Sequence, residues 1–410
     1  MVMRVHVSRR VCCSVSFAML LVSGTLTATA EDWQFNPRIE VGAEANDNYR
    51  LFPSEFADHV YGGFTNAAFE FRYLNSLDDF SVTPAVHAIY LPDSTDDNTT
   101  DPSLALNWLH TGQTYKAGLY GQYSRQSVVD AELTTPATIG NQLGNPVAGD
   151  SGLVSQRGKQ QLGELAPTFT IDLTQRRHLN ITADYNNVSY QPVIPGLNVN
   201  YNSANGTIGL VQDFTERSTG TVRALITQFD PQGEFATTRS YGLEGQWDYH
   251  LSQISQAYLR VGAVRSFFED VPGFSHVAPS TGVVAGAGVN WTFQITQLFL
   301  DFTRTVEPNS TGFSVNRDQV RLSLNRAFSA TVALVLAARY AHDAPTTSTP
   351  DFTNRDYGLA SAGVKWRFLR AWTLSGEYDF TYQRYASVPT TNERSNAVLL
   401  SVIYEPKRVN

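Results

Sequence analysis

A two-residue alternation of apolar and polar side chains runs from about residue 36 to the end of this chain, in segments of 11–17 residues. Tyr241, Leu243, Gly245, Trp247, Tyr249 and Leu251 interleave with Gly242, Glu244, Gln246, Asp248 and His250. Trp372, Leu374, Gly376, Tyr378, Phe380 and Tyr382 do the same with Thr373, Ser375, Glu377, Asp379 and Thr381. A third segment sets Leu165, Phe169, Ile171 and Leu173 against Glu164, Thr168, Thr170 and Asp172. Successive side chains of a strand point to opposite faces, so each segment reads as a strand with one greasy and one polar face. Helical periodicity is hard to find. A soluble sandwich closes its greasy faces over a shared core and needs only about seven short strands. Some eighteen long strands would have to bury far more aromatic surface. A barrel in lipid needs no such core, because hydrocarbon covers its outside and water its polar interior. The expected fold is therefore all-β, a transmembrane antiparallel up-and-down barrel.

The connections support this reading. Strands are expected from 36–49 through 392–405, and every second connection is a tight turn, near 75–78, 111–112, 175–177, 215–217, 252–254, 294–296, 328–329 and 369–371. Most of the others are longer and rich in Pro, Gly, Asp and Thr, the longest at 129–157. Outer-membrane barrels show this asymmetry, with short periplasmic turns and longer extracellular loops. An even count of eighteen fits, or sixteen if the weak segments 99–110 and 297–307 are not strands. All six tryptophans (Trp33, Trp108, Trp247, Trp291, Trp366, Trp372) fall near expected periplasmic ends, as an aromatic girdle at the lipid–water boundary requires. On the opposite side Tyr49, Tyr61, Tyr90, Tyr123, Tyr190, Phe267, Tyr340 and Tyr357 lie near strand–loop junctions.

The first thirty residues read as an export signal. Arg4, Arg9 and Arg10 precede an apolar run from Val11 to about Val22, and Ala28-Thr29-Ala30 ends the segment before Glu31-Asp32. Such a run of about twelve residues is too short to span a bilayer as a helix, and the layout is that of a cleavable signal. The expected division is a signal peptide at 1–30, cleaved after Ala30, and a barrel at 31–410. Both cysteines and all three methionines lie in the signal, so the mature chain carries no sulfur. That excludes a disulfide scaffold, a thiol enzyme and a Cys-ligated metal centre. Removing three Arg from 30 Lys+Arg leaves 27 against 38 Asp+Glu, a net charge of −11 that gives no support for nucleic-acid binding.

Alternation assigns an inward face. Its candidate pore-lining residues are Arg72, Lys116, Arg223, Glu244, Asp248, Arg260, Arg321, Lys365, Glu377 and Asp379, with both signs interspersed as in a wet lumen. Two clusters stand out: Glu244 and Asp248 facing Arg260, and Lys365 near Glu377 and Asp379. No Ser–His pair has a recognisable spacing, and His178, His250 and His342 read as polar strand-end residues, so no catalytic residue is expected. The run Asp93–Asp101 has four acids in nine residues but lacks the glycine and glutamate of an EF-hand, and reads as a solvated outer loop. No metal or other cofactor is expected.

One resemblance adds to these readings. Pro37-Arg38-Ile39-Glu40-Val41-Gly42 with Asn46-Asp47-Asn48-Tyr49-Arg50 resembles the opening of the β-barrel porin-2 family. Asp184-Tyr185-Asn186, Ser189-Tyr190-Gln191, Tyr201-Asn202-Ser203 and Phe214-Thr215-Glu216-Arg217-Ser218 extend the resemblance over nearly all of the mature chain. It implies an outer-membrane barrel and, for members encoded with exopolysaccharide systems, a part in polymer export. The C-terminus departs from the usual barrel ending, because Glu405–Asn410 follows the aromatic Tyr404. The expected function is a porin-like channel for hydrophilic solutes or a polysaccharide, with a structural or adhesive barrel of plugged lumen as the alternative. Outer-membrane lipid, lipopolysaccharide and the barrel-assembly machinery are the expected partners, and homo-oligomerisation is left open. N-terminal mass spectrometry of the exported protein should find Glu31 as the first residue; a chain that keeps residues 1–30 would refute the cleavage site.

Overall fold

All the alternating segments pair into one wall. The computed structural model describes residues 33–132, 158–193, 198–233, 235–269, 277–346, 354–386 and 392–406. The expected signal peptide and most of the 129–157 loop lie outside the described residues. In chain order the strands are β1 (Trp33–Asn46), β2 (Val60–Leu74), β3 (Asp78–Tyr90), β4 (Thr99–Thr111), β5 (Tyr115–Ser127), β6 (Lys159–Thr174), β7 (Arg177–Gln191), β8 (Tyr201–Thr215) and β9 (Ser218–Pro231). They continue as β10 (Thr238–Ser252), β11 (Ser255–Phe268), β12 (Ser280–Phe293), β13 (Thr296–Pro308), β14 (Ser314–Ala327), β15 (Val332–Pro345), β16 (Arg355–Leu369), β17 (Trp372–Tyr385) and β18 (Asn392–Tyr404). A five-residue helix, α1 (Val128–Glu132), follows β5. The weak segments 99–110 and 297–307 are β4 and β13, so the count is eighteen.

Each strand lies antiparallel to its chain neighbours, and β1 also pairs with β18, from Ile39↔Tyr404 to Asn46↔Ala397. That pairing closes the sheet into a barrel and meets the N–H and C=O groups of the two end strands along Ile39–Asn46. Short turns of two to four residues join the strands at one end, and longer connections join them at the other. Local side chains shape the short turns. The Asn75 side-chain oxygen accepts from the Leu77 and Asp78 amides at 2.8 and 2.6 Å. The Ser329 hydroxyl oxygen accepts from Thr331 and Val332 at 3.1 and 3.0 Å. Asn and Ser favour turns for this reason.

The pleat sorts the side chains as alternation predicts. Leu243, Leu259, Val261 and Val283 point outward and are more than half exposed, the apolar outer face of a membrane barrel. The six tryptophans also point outward, all at the short-turn end. Their polar edges find partners there: Trp247 Nε1 donates to the Ser218 hydroxyl at 2.7 Å. Trp33 packs on Tyr73 and Trp372 on Tyr404, with ring centroids 5.2 and 4.9 Å apart. At the long-loop end Tyr61, Tyr90, Tyr123, Phe267 and Tyr340 face outward. Tyr49, Tyr190 and Tyr357 do not. They are almost fully buried on the inward side, because Tyr190 and Tyr357 have the parity of the inward face and Tyr49 lies on a loop that folds inward. Proximity to a junction does not decide orientation; parity and loop path do.

Val261, near the middle of β11, tests this membrane face. Val261→Arg should destabilise the barrel by about 2–4 kcal/mol, the cost of a cation near the bilayer midplane. Denaturant titration of folding into lipid vesicles measures it.

Candidate functional site

The interior is built from loops as much as from strands. The β1–β2 connection turns inward because Asn48 ties it down. Its amide nitrogen donates to the Phe52 and Arg394 carbonyls at 2.7 and 2.9 Å, and its side-chain oxygen accepts from the Phe52 amide at 2.9 Å. Leu51 adopts a left-handed backbone (φ 51°) and is 1% exposed. A branched aliphatic residue in that region is strained, and the apolar contacts of its buried side chain offset the cost. Arg50, next to it, pairs with Asp97 of the β3–β4 connection.

That pairing explains the acid-rich run Asp93–Asp101. Asp97 is met by Arg50 and by the Ser94 hydroxyl. Asp101 is met by Lys159 and by the Ser127 amide at 2.9 Å. Asp97 and Asp101 are buried and act as latches, to the β1–β2 connection and to the start of β6, whereas Asp93 and Asp96 are exposed as a solvated outer loop requires. Among the described residues, no group of three or more His, Cys, Asp or Glu is placed to hold a metal ion.

Helix α1 lies between two apolar clusters. Val129 packs with Tyr49, Leu51, Leu91, Tyr357 and Leu359, whereas its neighbour Val128 packs with Val188, Tyr190, Tyr201 and Phe229. These clusters belong to different arcs of the wall, β16 to β3 and β7 to β9, and α1 joins them on the inner side of the barrel. The start of the 129–157 loop therefore runs inward. Two further contacts cross the long-loop mouth. The Val199 amide donates to the Ser310 carbonyl at 2.7 Å, and Phe235 meets Phe313 edge to face at 5.6 Å.

Below this constriction the lumen is uneven. Along β13–β18 charged side chains are buried and paired. Arg317 takes Asp343 bidentately at 2.6 and 2.9 Å and Glu307 at 3.1 Å. Arg355 donates to Gln383, which donates to Glu393 at 2.8 Å. Against β7–β12 an open cavity of about 620 Å³ remains, lined by Thr, Asn and Gln side chains, by Val and Leu, and by one cluster of Arg223 and Arg260 around Glu244 with Asp248 beside it.

The ten candidate residues distribute as follows. Arg223, Glu244 and Arg260 come together: Arg223 Nε lies 2.9 Å and Arg260 Nε 3.9 Å from the two Glu244 oxygens. Asp248 joins them through Gln246, whose amide donates to both Asp248 oxygens at 2.9 Å. Asp248 sits opposite Tyr258, and it is Gln246 that sits opposite Arg260, so Arg260 answers Glu244 and not Asp248. Arg321 is 1% exposed and paired with Asp301, which also accepts from the Tyr258 hydroxyl at 2.5 Å. Arg72 pairs with Asp79 across the β2–β3 hairpin, and Lys116 is exposed at the short-turn end. The expected contact of Lys365 with Glu377 and Asp379 does not form as an ion pair. Lys365 lies opposite Ser375, Glu377 opposite Gly363 and Asp379 opposite Ser361, a register set after a shift between Arg367 and Leu369. Glu377 is thus the diagonal neighbour of Lys365, the relation that Glu244 has to Arg260, and Asp379 lies two residues further along.

Arg50, Leu51, Asp97 and the pair Val128–Val129 were not among the candidates, although they shape the mouth. Loops carry no alternation, and the one sequence signal was the unusual density of Asp in 93–101. Asp97→Ala should leave buried Arg50 with Asp58 alone, 3.8 Å away, should destabilise the fold by less than the about 3–5 kcal/mol of a fully broken buried pair, and should loosen the mouth. Single-channel recording should then show a larger conductance than the parent protein; an unchanged conductance would sink the latch.

No family model matches the chain, and no curated protein matches it in sequence. Several solved structures match it in shape. OccAB2 of Acinetobacter baumannii shares 9% identity at a TM-score of 0.48, covering 91% of this chain and 98% of that one. OpdQ of Pseudomonas aeruginosa shares 9% at 0.46, covering 92% and 99%. OccK2 (OpdF) of the same organism, solved in complex with glucuronate, shares 8% at 0.45, covering 92% and 98%. At such identity no residue of those proteins can be carried over to a position here.

Proposed function

We propose that the chain is a porin-like channel of the bacterial outer membrane, through which hydrophilic solutes pass passively. One observation carries this reading: a closed barrel with an apolar outer belt encloses a cavity of about 620 Å³ lined by paired charges, hydroxyls and amides. Such a lining replaces part of a solute's hydration without a reaction or an energy source. The short turns would face the periplasm and the long loops the exterior. Arg223, Glu244, Asp248 and Arg260 are the pore-lining residues favoured by their position at the cavity. Arg72, Lys116, Lys365, Glu377 and Asp379 lie on the same inward face, whereas Arg321 acts in the wall through Asp301. Lipid and lipopolysaccharide around the belt, the assembly machinery during biogenesis and signal removal after Ala30 belong to the same reading. Export of a polysaccharide rests on the porin-2 resemblance alone.

A second reading, a structural or adhesive barrel with a plugged lumen, is favoured by the inward packing of Leu51, Val128 and Val129. Planar-bilayer recording separates the two. Stable open steps are expected, and a silent barrel would leave the plugged reading standing. Arg260→Glu should shift the reversal potential in a KCl gradient toward cation preference, because it exchanges a cation for an anion beside Glu244. An unshifted potential would remove Arg260 from the conduction path.

A further inference from the structure

We propose that the cavity against β7–β12 selects neutral polyhydroxylated solutes, small sugars in chemical class, over anionic and cationic analogues of the same size. The inference rests on the channel reading above and names the solute class for that same site.

Three features of the lining carry it. The charges at the cavity are two guanidiniums and two carboxylates, Arg223, Arg260, Glu244 and Asp248, so they sum to zero. They are also committed to one another. Arg223 lies 2.9 Å from Glu244 and donates to Gln246 at 2.5 Å, and Gln246 donates to Asp248 at 2.9 Å. A carboxylate arriving at Arg223 must compete with Glu244, and an ammonium arriving at Asp248 must compete with Gln246. An ion would give up hydration and meet no unbalanced countercharge, which is costly in a confined site. Much of the rest of the lining is hydroxyl and amide: Thr182, Thr207, Thr221, Thr227, Asn180 and Asn205. Hydroxyls and amides both donate and accept, as a sugar hydroxyl does, so the exchange of water for wall is balanced. Leu225, Val264 and Val284 add apolar surface among them, complementary to the C–H faces of a sugar ring. The volume, about 620 Å³, falls in the range of about 300–1,000 Å³ typical of small-molecule sites.

The test uses the full mature chain in proteoliposomes and three solutes on one pyranose skeleton: glucose, glucuronate and glucosamine. At zero membrane potential glucose should enter about tenfold faster than either charged analogue, the ratio set by one uncompensated hydrogen bond to a charged group. Equal or faster entry of glucuronate or glucosamine overturns the inference. If KCl conducts but glucose does not pass, the inference fails while the channel reading stands; if nothing passes and no conductance is seen, the channel reading fails. The double variant Thr221→Val/Thr227→Val should lower glucose entry about three- to tenfold by removing two hydroxyls, in a barrel whose altered gel migration on boiling shows that it is folded. An unaltered glucose rate in that variant would also overturn the proposal. Glu244→Gln, which unbalances the lining by one positive charge, should raise glucuronate entry relative to glucose.

Discussion

Backbone hydrogen bonding in a medium without water is the constraint on which this structure depends. An N–H or C=O left bare in hydrocarbon costs several kcal/mol, so a spanning sheet must have no edge. The pairing of β1 with β18, continuous from Ile39↔Tyr404 to Asn46↔Ala397, removes it. Closure then dictates the rest. A closed sheet has one face toward lipid and one toward an enclosed space, and the pleat assigns alternate residues to each. Leu243 and Leu259 face hydrocarbon, whereas Glu244 and Arg260 sit on the same strands one residue away with the opposite orientation. The apolar belt needs no core, and the enclosed face is free to be polar.

That freedom is used unevenly. Along β13–β15 inward charges pair with one another, and Arg317, Arg321, Asp301 and Asp343 are almost fully buried. Along β7–β12 hydroxyls and amides replace most charges, and space remains. Two effects decide where the lumen closes. The ion pair of Arg50 with Asp97 joins the β1–β2 and β3–β4 connections, and that of Lys159 with Asp101 ties the start of β6 to the start of β4. Apolar side chains of inward parity, among them Phe64, Tyr190 and Tyr357, give those loops and α1 a surface to pack on. An inward Tyr or Phe in a barrel reads as a misplaced girdle residue until the loop that covers it is known.

The fold was legible in the sequence nearly strand by strand. The alternating segments, including weak β4 and β13, became strands with ends close to those expected, and the six tryptophans all faced outward at the short-turn end. Legibility came from a local rule, since parity along a strand needs no knowledge of its neighbours. The candidate site was legible to the level of facing, not of contact. Arg223, Glu244 and Arg260 met as inward parity suggested, whereas Lys365 lies diagonal to Glu377 on the neighbouring strand without an ion pair between them. Register depends on the turn and on a shift between Arg367 and Leu369, neither of which parity encodes.

The sequence by itself determined which residues face lipid and which face the interior, that the strands number eighteen or sixteen, and at which end the turns are short. Each of these follows from a period of two and from where it is interrupted. Only the tertiary structure decided which inward residues touch, which loops enter the lumen, and where open space is left. Those depend on residues far apart in the chain, such as Arg50 with Asp97, Val199 with Ser310, and Val128 and Val129 with two separate arcs of the wall. Their meeting is fixed by barrel closure and by the sum of packing across the lumen, and no local pattern carries that information.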